Sequence, residues 1–214
     1  MKRIERILAA MDRMFPEATV ELEHDDAFQL LVAVVLSAQT TDVSVNRVTR
    51  VLFERYPTPQ RLARASYQDV EAIIRTIGLY RNKAKNIIEL AAELEARYNG
   101  TVPADRARLE ALPGVGRKTA NVVLSNAFGI PALAVDTHVA RVSVRLGLAQ
   151  KGDSVRTIEE KLMRLIPRER WQKAHHQFIF FGRYHCLARK PKCRVCPLYD
   201  ICIYENKEPK EDRS

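Results

Sequence analysis

The chain has 214 residues, 46% of them apolar, which allows a sizeable core and excludes a mostly disordered protein. Lys and Arg outnumber Asp and Glu by 35 to 26, and the resulting net charge of +9 favours a polyanionic partner. We find no signal-peptide pattern and no apolar run long enough to span a membrane, so we expect an intracellular protein.

The first hundred residues predict a succession of helices. Apolar residues recur at helical spacing from Ile4 to Phe15, and Pro16 ends that helix. Asp25 or Asp26 is expected to start the run AFQLLVAVVLSAQ, whose lack of alternation over about twelve residues predicts a helix buried on all sides. Later helices are predicted for VSVNRVTRVLFERY capped by Asp42, for a short segment opened by Pro59, for VEAIIRTI after a capping box of Ser66 and Asp69, and for a long segment ending at Asn99-Gly100.

The turn Pro113-Gly114-Val115-Gly116 separates two predicted helices, the second running from Arg117 to Phe128. Two glycines flanking one apolar residue leave backbone N–H groups exposed, and such groups at a helix N-terminus attract phosphate. Because there is no Walker spacing and no preceding strand, contact with a nucleic-acid backbone is favoured over a nucleoside-triphosphate loop. An ordinary bend between two helices remains an alternative.

Two charged residues follow that turn at predicted helix starts. Lys118 lies in the first turn of the second helix beside Arg117, where the helix dipole and the neighbouring cation disfavour an ammonium charge. Its amine could be a neutral nucleophile, or it could simply touch phosphate. Asp136 follows the apolar run Ala132 to Val135 and precedes a helical stretch, so it is the expected N-cap. A cap can also be a catalytic carboxylate, because one oxygen can hold the helix amides while the other faces a cleft.

The remaining sequence ends in a cysteine-rich segment. Ser154 is expected to cap VRTIEEKLMRLI, and an aromatic-rich helix, RWQKAHHQFIFFGRYHC, follows Pro167. Nothing predicts a sheet, so the fold class is all-α with about ten helices. The four cysteines have the spacing C-x6-C-x2-C-x5-C: Cys186, Cys193, Cys196 and Cys202.

Four thiolates in one short segment can enclose either a tetrahedral zinc ion or an iron–sulfur cluster, so the spacing predicts a metal site. With every ligand position occupied by protein, the expected role is structural. Between the first two cysteines lies LARKPK, a basic loop that includes Lys190 and Lys192 and is expected to contact phosphates.

LPGVGRKTANVVL followed by VDTHV, together with the cysteine spacing, resembles the helix-hairpin-helix-Gly/Pro-Asp superfamily of DNA glycosylases, in particular the endonuclease III family. The resemblance implies that Lys118 is the nucleophile, that Asp136 is its essential partner and that the four cysteines bind a 4Fe–4S cluster. It further implies that Gln39 in SAQTTD fills the gap left by a flipped base and that Leu79 in IGLYRNKAKN wedges into the base stack. The hairpin residues Leu112, Gly114, Gly116 and Arg117 are expected to contact DNA with Lys190 and Lys192.

The same resemblance implies two helical domains with an active-site groove between them. One is a six-helix domain of residues 20–130 with the helix-hairpin-helix motif, and the other is a discontinuous iron–sulfur domain of residues 1–19 and 131–214. Lys118 is expected on one side of the groove and Asp136 on the other.

The implied function is that of a bifunctional DNA glycosylase/AP lyase of base excision repair. It would remove oxidised or ring-saturated pyrimidines through a lysine Schiff base and cleave the strand by β-elimination. The expected partner is double-stranded DNA with a damaged base or an abasic site. We expect the protein to be a monomer and to be cytoplasmic, associated with the nucleoid if the source is bacterial. A non-catalytic DNA-binding module with zinc and a monofunctional glycosylase are the alternatives.

Overall fold

The computed structural model describes residues 2–209, which form eleven α-helices and no β-strand. The prediction of an all-α fold is therefore confirmed. The helices are α1 Arg3–Met14, α2 Ala27–Leu36, α3 Asp42–Arg55, α4 Pro59–Ala63, α5 Tyr67–Ile74, α6 Tyr80–Tyr98, α7 Arg106–Glu110, α8 Arg117–Ala127, α9 Thr137–Arg145, α10 Val155–Leu165 and α11 Trp171–Phe180. Within the described residues, no helix is both long and apolar enough to cross a membrane.

The chain divides into two compact units, one of Glu21–Ile130 and one that joins Met1–Val20 to Pro131–Ser214. The first unit contains α2 to α8. Its centre is α2, in which every residue from Phe28 to Leu36 is buried, so the prediction of a helix buried on all sides is confirmed. Helices α3, α6 and α8 pack against α2.

Helix starts in this unit follow the expected capping chemistry with one correction. Asp26 caps α2 by accepting a hydrogen bond from the Gln29 amide at 2.8 Å. Helix α3 is capped by Thr41, whose hydroxyl accepts from the Ser44 amide at 3.3 Å, so the prediction that Asp42 is the cap was wrong by one residue. Asp42 is instead the first helical residue, where its charge complements the helix dipole.

The second unit contains α1 and α9 to α11, followed by short turns. Its core gathers apolar side chains from α1, α9, α10 and α11, including Ile7, Val142, Leu162 and Phe178. A π-helical turn, Phe181–His185, continues α11 and packs on α9. Gly182 in that turn has no space for a side chain, because an added Cβ would lie 2.9 Å from the Cβ of His138.

Candidate active site and cysteine segment

The hairpin joins α7 to α8 within the first unit. Leu112 and Val115 are buried beneath it, and the Val115 amide donates to the Leu112 carbonyl at 3.1 Å. Gly114 has φ of +75°, and a Cβ at that position would lie 3.0 Å from Asn86 of α6. A glycine is therefore required at 114 by both the backbone conformation and the close approach of α6.

Gly116 differs from Gly114 in that nothing lies within 4 Å of where its Cβ would be. It is the N-cap of α8 with extended backbone angles that any residue can adopt. Among the described residues, the amides of Gly114 and Gly116 donate no hydrogen bond to another backbone group. Unpaired amides beside a helix N-terminus are groups that attract anions in proteins, and the missing side chain at Gly116 leaves the amides open to approach.

Lys118 is the second residue of α8 and is exposed. Its amine makes no hydrogen bond or ion pair within the described part of the chain. The ammonium or amine group is therefore accessible at the same helix end that carries the hairpin amides. Leu112, in contrast, is only 3% exposed, so any contact it makes with DNA would involve its backbone.

Asp136 ends a buried apolar run, Ala132 to Val135, in the second unit. It caps α9, as predicted, with Oδ1 accepting from the Val139 amide at 2.8 Å. Over residues 2–209 the other carboxylate oxygen accepts no hydrogen bond. The side chain is half-buried, so one oxygen fixes the carboxylate on the helix end while the other stays free to face a reactant.

Left-handed backbone marks three further residues that the sequence predicted to contact DNA. In the described chain, four residues other than glycine have positive φ: Gln39 at 54°, Leu79 at 59°, Asn99 at 50° and Lys190 at 50°. Asn99 is the C-cap of α6, where asparagine commonly adopts this conformation. Gln39, Leu79 and Lys190 have no such local explanation, and strained backbone of this kind is concentrated at functional sites.

The four cysteines form no disulfide and line one cavity, whose walls also include Arg145, Phe181 and Lys207. Two short 3₁₀ turns, Cys193–Val195 and Tyr199–Ile201, bend the chain around it. The Cys196 amide donates to the Cys193 carbonyl at 3.0 Å, and the Cys202 amide donates to the Tyr199 carbonyl at 3.2 Å. Each turn thus places one cysteine at its end, so the thiols face a common space.

Arg145 of α9 holds both ends of this segment. The residue is 8% exposed, and its guanidinium donates to the Leu187 carbonyl at 2.7 Å and to Cys186 Sγ at 3.3 Å. Its own carbonyl accepts from the Ile203 amide at 3.0 Å. Cys202 Sγ donates to the same carbonyl at 3.2 Å, so the first and last cysteines are both hydrogen-bonded to one helical residue.

The donor set fits an iron–sulfur cluster. Burial raises the pKa of the Cys196 thiol to about 11 and also raises that of Cys186, and each thiol must lose its proton to bind a metal. Cys186, Cys193, Cys196 and Cys202 are the residues that would hold the cluster, and their four thiolates are the ligand type that iron–sulfur clusters take. Within the described chain, no group of three or more His, Cys, Asp or Glu side chains is arranged around a single metal ion.

The basic loop of residues 187–192 follows Cys186, and Lys190 and Lys192 are both exposed. Arg194, just beyond it, lies 3.1 Å from Glu208 and is therefore partly neutralised. The ion pair that distinguishes Arg194 from the two lysines could not be predicted from the sequence.

One residue in the hairpin's unit was missed by sequence reasoning. Lys83 of α6 is only 4% exposed and reaches the loop that carries Gln39. Its position on the buried face of α6, between Leu79 and the apolar Ile87, was the available signal.

Residues 32–168 match the HhH-GPD superfamily of base excision DNA repair proteins, and residues 186–202 match the iron–sulfur binding domain of endonuclease III. The second match begins at the first cysteine and ends at the last. The two matches thus include both the hairpin and the cysteine segment.

The chain is 52% identical to endonuclease III of Bacillus subtilis over 211 residues, which is 99% of this chain and 96% of that protein. It is 50% identical to the Escherichia coli K12 enzyme over 206 residues, covering 96% and 97%. Its structure is similar to a trapped endonuclease III–DNA covalent intermediate with a TM-score of 0.92 and 55% identity, covering 95% and 96%. The chain therefore belongs to the endonuclease III family of the HhH-GPD superfamily.

Proposed function

We propose that Lys118 and Asp136 carry out the glycosylase and lyase reactions of this chain. The chain is a base excision repair DNA glycosylase with AP lyase activity, it binds DNA and its cofactor is a 4Fe–4S cluster. Which residues act, and on which bases, is the proposal. The single observation that carries it is the exposed Lys118 amine at the α8 N-terminus beside unpaired hairpin amides.

The hairpin amides would bind a backbone phosphate and thereby bring the sugar to the lysine. Lys118 Nζ then attacks C1′ of a flipped nucleotide, and the bond between C1′ and the base breaks as the new C–N bond forms. Cleavage of the C1′–O4′ bond, with a proton passing to O4′, then opens the sugar ring and converts this aminal into a Schiff base, which acidifies the C2′ proton. Loss of that proton and rupture of the C3′–O bond complete β-elimination.

Asp136 would stabilise positive charge on the sugar during base departure and accept the lysine proton. Its cap hydrogen bond to Val139 holds the carboxylate in one orientation, so no reorganisation is needed in the transition state. The four cysteines would hold the cluster, which supplies structural cross-linking of the segment rather than hydrolysis.

We expect the substrates to be oxidised or ring-saturated pyrimidines in duplex DNA, and the enzyme to act as a monomer. Family membership supports this lesion class. The lesion pocket would be assembled from side chains on several helices. A panel of duplexes, each with one lesion, tests the class: no excision of any saturated pyrimidine would contradict it.

Borohydride trapping tests the assignment of Lys118. Reducing the imine during turnover should join the wild-type protein covalently to lesion DNA. Lys118→Gln should abolish both the adduct and strand cleavage while retaining duplex binding, because the hairpin amides remain. Asp136→Asn should keep the helix cap but slow excision by about 100-fold or more, since it removes the stabilising charge.

Each alternative gives a different result. A binding module would give no adduct in any variant, and a monofunctional glycosylase would release the base without trapping. Trapping of Lys118→Gln at the wild-type level would assign the nucleophile to another amine. Lys151→Gln, which removes an exposed lysine outside the hairpin, is the matched control and should still trap.

A further inference from the structure

Lys83 is a buried lysine to which the proposed chemistry assigns no role. It is 4% exposed, and across residues 2–209 it forms no ion pair with an acidic side chain. Burial lowers the pKa of its amine. Lysine is rarely buried without a carboxylate partner, because desolvating the charge is costly, so its presence calls for a compensating role.

The Lys83 amine binds the loop between α2 and α3. Its Nζ donates to the Ala38 carbonyl at 2.8 Å and to the Thr40 hydroxyl at 2.8 Å, which are the two residues flanking Gln39. The Thr40 amide in turn donates to the Ser37 carbonyl at 3.0 Å, closing the loop as a tight turn. The exposed Gln39 side chain is thus presented from a loop anchored on both sides by one amine.

The backbone of the same residue binds the start of α6. The Lys83 amide donates to the Leu79 carbonyl at 3.0 Å, which is the first hydrogen bond of the helix. Leu79 is 57% exposed, an unusual position for a leucine in left-handed backbone conformation. Lys83 therefore contacts both strained segments, one through its amide and the other through its amine.

We propose that Lys83 is a positioning residue that fixes Gln39 and Leu79 relative to each other, so that gap filling and wedging act as one step in base flipping. This inference rests on the proposed function. In the described chain, both side-chain hydrogen bonds that connect residues 37–41 with residues 79–83 come from Lys83. A purely structural lysine would stabilise the unit without favouring duplex substrates over single strands.

Lys83→Met tests the proposal, since methionine keeps an unbranched stem but cannot donate. Excision of a lesion from duplex DNA should fall by about 10- to 100-fold, the loss typical of small misplacements in an active site. Cleavage at an abasic site in single-stranded DNA should stay within about twofold of wild type, because no opposite base must be separated there. Lys85→Met, on the exposed face of α6, is the matched control and should match wild type in both assays.

A variant that lacks the Gln39 and Leu79 side chains distinguishes a positioning role of Lys83 from a general effect on stability. In a Gln39→Ala/Leu79→Ala background, Lys83→Met should cause less than about a further twofold loss, because its effect acts through those side chains. The proposal would be overturned if Lys83→Met lowered the excision rate as much in the Gln39→Ala/Leu79→Ala background as in wild type. Equal losses of rate on duplex and single-stranded substrates would overturn it as well. If Lys83→Met does not fold, Thr40→Val removes one acceptor and should give a smaller loss of the same duplex-specific kind; no such loss would also overturn it.

Failure of this inference is distinguishable from failure of the proposed function. If wild-type protein gives no borohydride adduct, the proposed function fails. If wild type traps and Lys83→Met excises from duplexes as fast as wild type, only the positioning role fails.

Discussion

The helical hairpin of residues 111–117 and the cysteine segment of residues 186–202 are both short. The hairpin leads into α8, which carries Lys118, and the cysteine segment is hydrogen-bonded to Arg145 of α9. The hairpin lies on buried apolar side chains, Leu109, Leu112, Val115 and Ala120, which belong to the core of its unit. The cysteine segment contains two short 3₁₀ turns in otherwise irregular backbone, and Leu198 is its only buried side chain besides Cys186 and Cys193.

The difference lies in what stabilises each conformation. Apolar burial fixes the hairpin, so its functional groups can be altered without unfolding it. The cysteine segment buries little apolar surface and depends on Arg145, on local backbone hydrogen bonds and on the bound cluster. Substitutions should therefore separate function from folding in the hairpin but not at the cysteines.

Cys193→Ser should give the largest effect. Removing one of four thiolates should cause loss of the cluster, its brown colour and its absorption near about 400 nm, and residues 186–203 should lose protection from hydrogen exchange. Iron content, the absorption spectrum and exchange of the segment measure this. Protection of the α8 amides should change little, since their core is apolar.

Val195→Ser is the control for that experiment, because Val195 lies in the same turn, is 64% exposed and provides no ligand. It should retain iron and colour. A soluble, brown and fully active Cys193→Ser protein would remove the distinction between the two regions.

Gly114→Ala should lower stability by about 2 kcal/mol, because the left-handed conformation costs about 1–2 kcal/mol for a residue with a side chain and Asn86 must also shift. Chemical denaturation measures this directly. DNA affinity of the fraction that remains folded should change less than stability does.

Gly116→Ala should have the opposite effect to Gly114→Ala, weakening DNA binding more than it lowers stability. Its backbone angles suit alanine and no protein atom opposes the methyl group, so the stability loss should be at most about 1 kcal/mol, from poorer capping. Duplex affinity should fall by about tenfold, because the methyl group would meet the incoming phosphate. Unchanged affinity would mean that Gly116 does not approach DNA.

The sequence predicted the helices, the hairpin and the Asp136 cap because each has a local signature: apolar spacing, two glycines and an aspartate before a helical run. The cap of α3 was misplaced because Thr41 and Asp42 are both good caps and only the backbone angles distinguish them. The helical spacing placed Lys83 on the buried face of α6, but its partners could not be predicted, since its amine binds residues more than forty positions away. The left-handed backbone of Leu79 has no signature in the sequence. The roles of Lys118, Asp136 and the DNA-contacting residues stay predictions.

Replacing Lys190 and Lys192 together with glutamine should give the smallest effect and act on binding alone. Both side chains are exposed, and glutamine leaves the left-handed backbone at position 190 under the same strain, so folding and iron content should be unchanged. If each lysine neutralises one phosphate, the slope of log affinity against log salt should fall by about 1.8, and all duplexes should weaken equally. The Lys85→Gln/Lys151→Gln pair removes the same two charges elsewhere and should leave the slope nearly intact. An unchanged slope in the Lys190/Lys192 variant, with altered preference among lesions, would show that the loop contacts the damaged base and not the backbone.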